Sequence, residues 1–175
     1  HEHKKIFGML ASFINGSAGD RIVVEDRGCD DEKRFIYFTE ELNVSFITRI
    51  HAGGKSRGLL VTGRDGEKEI HSVRDIAEGL REKAGAGRVW YNKKTKQNLI
   101  SKIAFRQVFL PKHGNIPLYV IFVYSEGYEE PLTVLTDLKT TDAKRAWKHF
   151  YYYKKRWEVE NFYRAVKQNF SAEKF

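Results

Sequence analysis

Residues 22–50, IVVEDRGCDDEKRFIYFTEELNVSFITRI, decide the fold. Ile22-Val23-Val24 is a short apolar run that reads as a buried strand, entering Glu25-Asp26-Arg27-Gly28. Asp30 or Asp31 is placed to cap a helix running to about Leu42, with acids in its first turn where the helix dipole favours them. Asn43 ends that helix, and residues 44–50 read as a second strand. Strand, helix and strand within ~30 residues form a βαβ unit, whose strands are predicted to be parallel with a right-handed crossover.

Outward from this unit the pattern changes. Upstream, residues 4–14 have apolar positions near helical spacing and are read as a short helix, broken by Gly16-Ser17-Ala18-Gly19. The chain starts His1-Glu2-His3-Lys4-Lys5, with no initiator Met and no signal-like apolar run, and reads as a piece of a longer protein. Downstream, residues 52–100 hold 8 of the 14 glycines and are read as turns and short strands. Three strand-like runs follow at 103–110, 118–124 and 132–138, parted by turn-rich segments at 111–115 and 125–131, so an antiparallel meander is expected. Thr140-Thr141-Asp142 offers an N-cap, and neither Gly nor Pro interrupts the chain from there to Phe170, which predicts a long helix. No internal repeat or low-complexity segment is present.

Composition sets further bounds. With 175 residues and 41% hydrophobic content, the chain is long and apolar enough for one ordered domain, which excludes a disordered chain. The longest apolar run, residues 116–124, contains Pro117 and is far short of the ~20 residues of a membrane span. Cys29 is the single cysteine, which excludes an internal disulfide and suits a reducing compartment. The six histidines have no zinc-type spacing with it. Net charge is +8, which favours a polyanionic partner, and it is unevenly spread. Residues 1–51 carry 7 basic and 9 acidic groups, whereas residues 83–125 hold eight cations and no acid. A second acid-free block, residues 143–157, holds six cations. Trp90-Tyr91-Asn92-Lys93-Lys94-Thr95-Lys96 interleaves aromatics with cations, as DNA-contacting hairpins do and as solvated turns also do.

The residues that carry chemistry lie on the last helix. At ~100° per residue, Arg156, Glu160 and Lys167 fall within about 60° of Tyr153, so all four share one narrow stripe. Beside it, Val159, Tyr163, Val166 and Phe170 make an apolar stripe expected to pack on the sheet. A carboxylate between cations next to the core is what a metal-phosphate site needs. Glu160 can bind a hard divalent cation, Arg156 and Lys167 can hold phosphate oxygens, and Tyr153 can donate a hydrogen bond. The same spacings also occur as ordinary ion pairs on solvated helices, contributing ~0.2–0.5 kcal/mol each.

Tyr-x2-Arg-x3-Glu-x6-Lys resembles the signature of bacterial insertion-sequence transposases of the DDE class, and the context from Tyr153 to Gln168 is similar beyond those four positions. Upstream, Val23-Val24-Glu25-Asp26-Arg27-Gly28-Cys29-Asp30 resembles the strand of that family ending in Asp-Arg-Gly-x-Asp. The run Leu132-Thr-Val-Leu-Thr-Asp-Leu138 resembles the segment before the signature helix. The resemblance covers most of the chain and is weakest over residues 52–100.

The resemblance implies an α/β fold: a partial ribonuclease-H-like catalytic core, made of a βαβ unit and a long catalytic helix, with a β-rich insertion. Residues 1–51 would be the second half of the core sheet, 52–139 the insertion and 140–175 the catalytic helix. It implies a metal-dependent enzyme that cleaves phosphodiester bonds and transfers DNA strands at transposon ends. Asp26 would be the second and Glu160 the third of three carboxylates that hold two Mg²⁺ ions, with Mn²⁺ as a substitute. Tyr153, Arg156 and Lys167 would hold phosphates, and Trp90, Lys93, Lys94 and Lys96 are candidate DNA contacts. Arg27 and Asp30 lie close by with no assigned role. The implied partners are double-stranded transposon-end and target DNA, in an assembly of two or more subunits with paired ends, in the bacterial cytoplasm near the nucleoid. The first Asp of the family belongs on an earlier strand, so this segment alone is expected to be inactive. Glu25 is a poor substitute because adjacent strand residues face opposite ways, and Asp20 is assigned to a turn. A metal-dependent nuclease on the same core and a non-catalytic DNA-binding relic are the alternatives.

Overall fold

The computed structural model describes residues 21–53, 56–92 and 96–170. The expected helix over residues 4–14, the break at 16–19, Asp20, Lys93 and Lys94 lie outside them.

The βαβ unit is present. Strand β1 (Ile22–Glu25) leads through a single 3-10 turn (Arg27–Cys29) into helix α1 (Glu32–Ile36), which widens into a π turn over Tyr37–Glu41. Asp31 caps α1, its Oδ1 accepting from the Lys33 N–H at 3.1 Å. The chain reverses at Asn43, whose φ of 47° is a left-handed conformation that Asn tolerates better than most residues. Strand β2 (Ser45–Ile50) then pairs parallel with β1, Ile22 opposite Ser45 and Glu25 opposite Thr48.

A hairpin of β3 (Gly58–Thr62) and β4 (Lys68–Ser72) follows, and then helix α2 (Val73–Arg81). This helix corrects the reading of residues 52–100 as turns and strands alone. Ser72 caps it by accepting from the Asp75 N–H at 3.1 Å, and Val73, Ile76 and Ala77 bury one face. Strands β5 (Gly85–Asn92), β6 (Gln97–Leu110), β7 (His113–Ser125) and β8 (Leu132–Thr136) complete the sheet. The expected meander is β6-β7-β8, antiparallel throughout; β6 and β7 begin upstream of the expected starts at 103 and 118.

The result is a mixed α/β fold built mostly on one eight-stranded sheet, with three helices among the described residues. Strand order is β1-β2-β8-β7-β6-β3-β4, with β5 also paired to β6. Strand β8 runs antiparallel to β2, Ile47 opposite Thr136, so one sheet continues from residues 1–51 into residues 52–139.

Strand alternation sends side chains to two cores. On one face, Phe46, Ile50, Val120, Phe122 and Leu135 pack with Phe35 and Phe38 of the α1 region and with α2. Phe35 stacks on Phe46 with ring centroids 4.8 Å apart. On the other face, Ile47, Ile121, Val123 and Val134 meet helix α3 (Ala143–Phe170) through Ala146, Trp147, Phe150 and Tyr153. Each such large side chain, when fully buried, contributes about 1.5–3 kcal/mol. Asp142 caps α3, accepting from the Arg145 N–H at 2.8 Å, as the sequence led us to expect.

The expected apolar stripe of α3 needs correction. Val159 is 54% exposed, and the residues that pack on the sheet lie earlier, from Ala146 to Tyr153. Beyond Tyr153 the helix turns its apolar side chains to solvent: Trp157, Val159 and Phe162 are all exposed. The side chains of Tyr163, Val166 and Phe170 lie outside the described set. No helix among the described residues is long and apolar enough to cross a membrane.

Candidate active site

Asp26 sits directly after β1, at the carboxyl end of the parallel pair, where open α/β sheets place ligands. Its backbone carbonyl accepts from the Cys29 N–H at 2.9 Å, closing the turn that carries it out of the sheet. The carboxylate itself is half exposed.

Helix α3 crosses β1 and brings its stripe to this point. Tyr153 is fully buried, its ring stacked near Phe150, and its hydroxyl donates to Asp26 Oδ1 at 3.3 Å. Arg156 Nη2 lies 3.4 Å from Asp26 Oδ2, while its Nη1 pairs with Glu160 one helical turn on. The guanidinium is shielded from solvent and the two carboxylates are half exposed, so one cation bridges two acids at the edge of the core. Burial alone lowers the pKa of Arg156, but its hydrogen bond with Tyr153 and the charges of Asp26 and Glu160 carry it above its usual value. The group is permanently charged.

The spacing along α3 thus brings Tyr153, Arg156 and Glu160 together, and the fold adds Asp26. Lys167 lies further along α3, and its side chain, like that of Arg27, is outside the described set. Asp30 serves a structural pairing, with Arg57 Nη1 at 3.0 Å; burial raises its pKa against the pull of Arg57. Glu25 pairs with Arg34 of α1, away from Asp26, and burial raises its pKa in the same way.

Trp90 reaches the site's surroundings from β5. Its ring lies 5.6 Å from Trp147 and 6.3 Å from Phe150, and Lys154 Nζ stands 3.7 Å from its centroid. Its indole N–H is buried and meets no acceptor among the described residues. A shallow depression of about 300 Å³ opens here, walled by Trp90, Phe150, Tyr153, Lys154 and Trp157. Trp157 is 48% exposed, with the Arg156 guanidinium 5.3 Å from its ring. Lys96 is exposed in the turn just before β6 with a φ of 55°. Sequence spacing did not identify Lys154 as a partner of Trp90, because the contact joins β5 to α3 and depends on how the helix lies across the sheet. The aromatic positions Trp147, Phe150 and Tyr153, three apart, were the available signal.

Two carboxylates with a neighbouring guanidinium that can hold a phosphate make a donor set suited to a hard cation. Mg²⁺ is commonly held by one or two carboxylates, with waters and substrate phosphates completing its shell. Among the described residues no three or more His, Cys, Asp or Glu side chains cluster as a metal centre. The chain matches no family model and no curated protein.

Proposed function

We propose that the chain is part of a DNA transposase catalytic domain with a ribonuclease-H-like core, in which Asp26 and Glu160 are two of three metal-binding carboxylates. The observation that carries this reading is their convergence on one guanidinium, Asp26 from the end of a parallel strand and Glu160 from a long helix across the same sheet. Among the described residues β1 ends the strand order, which leaves its outer edge for a strand bearing the first carboxylate. In this frame residues 52–139 are the β-rich insertion.

Bound Mg²⁺ would activate the attacking hydroxyl and stabilise the leaving oxygen during in-line displacement at phosphorus. The chain's own residues do the rest. Tyr153 fixes the rotamer of Asp26 through its hydroxyl, so that ligand is set before metal arrives. Arg156, always charged, can transfer from the carboxylates to a phosphate oxygen. Lys167 follows on the same stripe of α3. Trp90, Lys154 and Trp157 offer aromatic and cationic surface beside the scissile position.

The test uses the full-length protein on transposon-end duplexes. Asp26→Asn and Glu160→Gln are expected to abolish cleavage while gel-shift binding of the ends persists; cleavage by either variant overturns the assignment. Precut ends then separate this reading from a nuclease on the same carboxylates, since only a transposase joins a 3′-hydroxyl to target DNA.

A further inference from the structure

A second site lies at the opposite end of β1 from Asp26. The starts of β1 and β2 and the early turns of α3 enclose a cleft of about 750 Å³. Its polar lining is Arg21, Asn43, Ser45, Lys148, His149 and Tyr152, and among the described residues none of the lining is an acid. Asp137 lies nearby in sequence, but its carboxylate is turned onto β2, accepting from the Phe46 N–H at 2.8 Å and from the Ser45 hydroxyl.

The inner wall is organised around His149, which is buried, with Nδ1 3.0 Å from Thr140 Oγ1. The Thr140 hydroxyl already donates its one proton to the Leu138 carbonyl at 2.9 Å, so towards His149 it can only accept. The ring is therefore held with its proton on Nδ1, and Nε2 is the polar atom left for a ligand. Burial lowers the His149 pKa, Lys148 and Arg145 lower it further, and Asp142 opposes them. At neutral pH the ring is neutral. The Tyr152 ring stacks beside it, and Lys148 lies across Tyr152.

We propose that this cleft is a phosphate site separate from the carboxylate pair, in which Lys148 supplies the fixed charge and His149 Nε2, once protonated, donates to a phosphoryl oxygen. The proton comes from solvent, and the bound oxyanion adds to the negative charge of Asp142 in opposing Lys148 and Arg145 around the ring. Binding takes up a proton, so affinity rises as pH falls through the His149 pKa. Arg21 and Asp26 flank β1 and stand ~17 Å apart at ~3.3 Å per residue. His149 and Arg156 are ~10 Å apart along α3 at 1.5 Å per residue. These separations match roughly three to five base steps of a duplex at 3.4 Å each, so a DNA strand along α3 can reach both sites. Inorganic phosphate presents the same oxyanion.

The experiment is an NMR pH titration of the His149 ring in full-length protein, alone, with inorganic phosphate and with a short DNA duplex, at constant ionic strength in chloride. A rise in the His149 pKa of about one unit or more on adding phosphate is expected. If the duplex alone produces the rise, the site holds backbone phosphate; if inorganic phosphate also does, the phosphoryl group suffices. Lys148→Gln, at an exposed position, should weaken binding several-fold and leave Mn²⁺ binding at Asp26 and Glu160 unchanged. An unmoved His149 pKa with both ligands, relative to chloride alone, overturns the proposal. Neither result touches the carboxylate reading, which rests on cleavage by Asp26 and Glu160 variants.

Discussion

Asp26 Oδ2 and Arg156 Nη2 lie 3.4 Å apart, and the same guanidinium pairs with Glu160. If Asp26 and Glu160 hold a divalent cation as proposed above, Arg156 and that cation would compete for the same oxygens. Half-exposed ion pairs are worth about 0.2–1 kcal/mol each, so releasing two of them should matter modestly. Arg156→Gln is expected to raise Mn²⁺ affinity roughly two- to thirtyfold, measured by electron paramagnetic resonance or calorimetry. A fall in affinity would show instead that Arg156 holds the carboxylates in place for the metal. Duplex DNA, by drawing Arg156 onto phosphate, should tighten Mn²⁺ binding to the unaltered protein and have less effect on the variant.

Tyr153 joins the site to the core, and its two parts can be separated. The ring is fully buried beside Phe150, while the hydroxyl makes a 3.3 Å bond to a half-exposed carboxylate. Tyr153→Phe keeps the packing and should cost no more than about 1 kcal/mol in denaturant unfolding. Tyr153→Ala leaves a cavity under α3 and should cost about 3–5 kcal/mol. Equal losses in the two variants would place the hydroxyl, not the ring, at the centre of the stabilisation.

How far the sequence foretold this arrangement depends on whether the signal was local. The βαβ unit and the start of α3 were legible because their caps and periodicity lie within a few residues of each other: Asp31 before α1, Asn43 at the reversal, Asp142 before α3. Helix α2 had equally local signals, Ser72 with Asp75 and the spacing of Val73, Ile76, Ala77 and Leu80, but the glycines around it, with Gly79 inside it, suggested turns. The apolar stripe of α3 was misplaced for a different reason. Helical periodicity continues along all 28 residues and does not say which of them meet the sheet. The stripe from Tyr153 to Glu160 followed from helix geometry, and Asp26 followed only from resemblance. The Arg156 bridge and the Trp90 contact with α3 are set by the angle at which a helix crosses a sheet, which no local pattern encodes.

Trp157 offers a test of the proposed nucleic-acid surface with little structural cost. Its ring is 48% exposed beside Arg156 and borders the depression formed with Trp90 and Lys154. Trp157→Ala should leave unfolding stability within about 0.5 kcal/mol, as for surface substitutions generally. Loss of one stacked base costs about 1–3 kcal/mol, so affinity for single-stranded or end-frayed DNA should drop about five- to hundredfold. Unchanged affinity would remove Trp157 from the interface while leaving the carboxylate site as it stands.

Stability should also respond to pH in a defined direction. Burial raises the pKa of Asp137 despite hydrogen bonds from the Phe46 N–H and Ser45, and it raises those of Glu25 against Arg34 and Asp30 against Arg57. Each group therefore binds its proton more tightly in the folded chain than in the unfolded one. Their contribution to stability is full below the ordinary carboxylate range and is lost as pH rises through the raised folded values. His149 acts the other way, since its depressed pKa means that the unfolded chain takes up a proton first as pH falls below the usual histidine value. Comparison of unaltered protein with Asp137→Asn isolates one carboxylate from this overlap. The Asn side chain can still accept from Phe46 and carries no charge, so the variant should be the more stable of the two at neutral pH. The gap should close on acidification as Asp137 itself becomes protonated. Thermal unfolding at a series of pH values checks this, and a gap that widens in acid would mean that the Asp137 charge stabilises the start of β2.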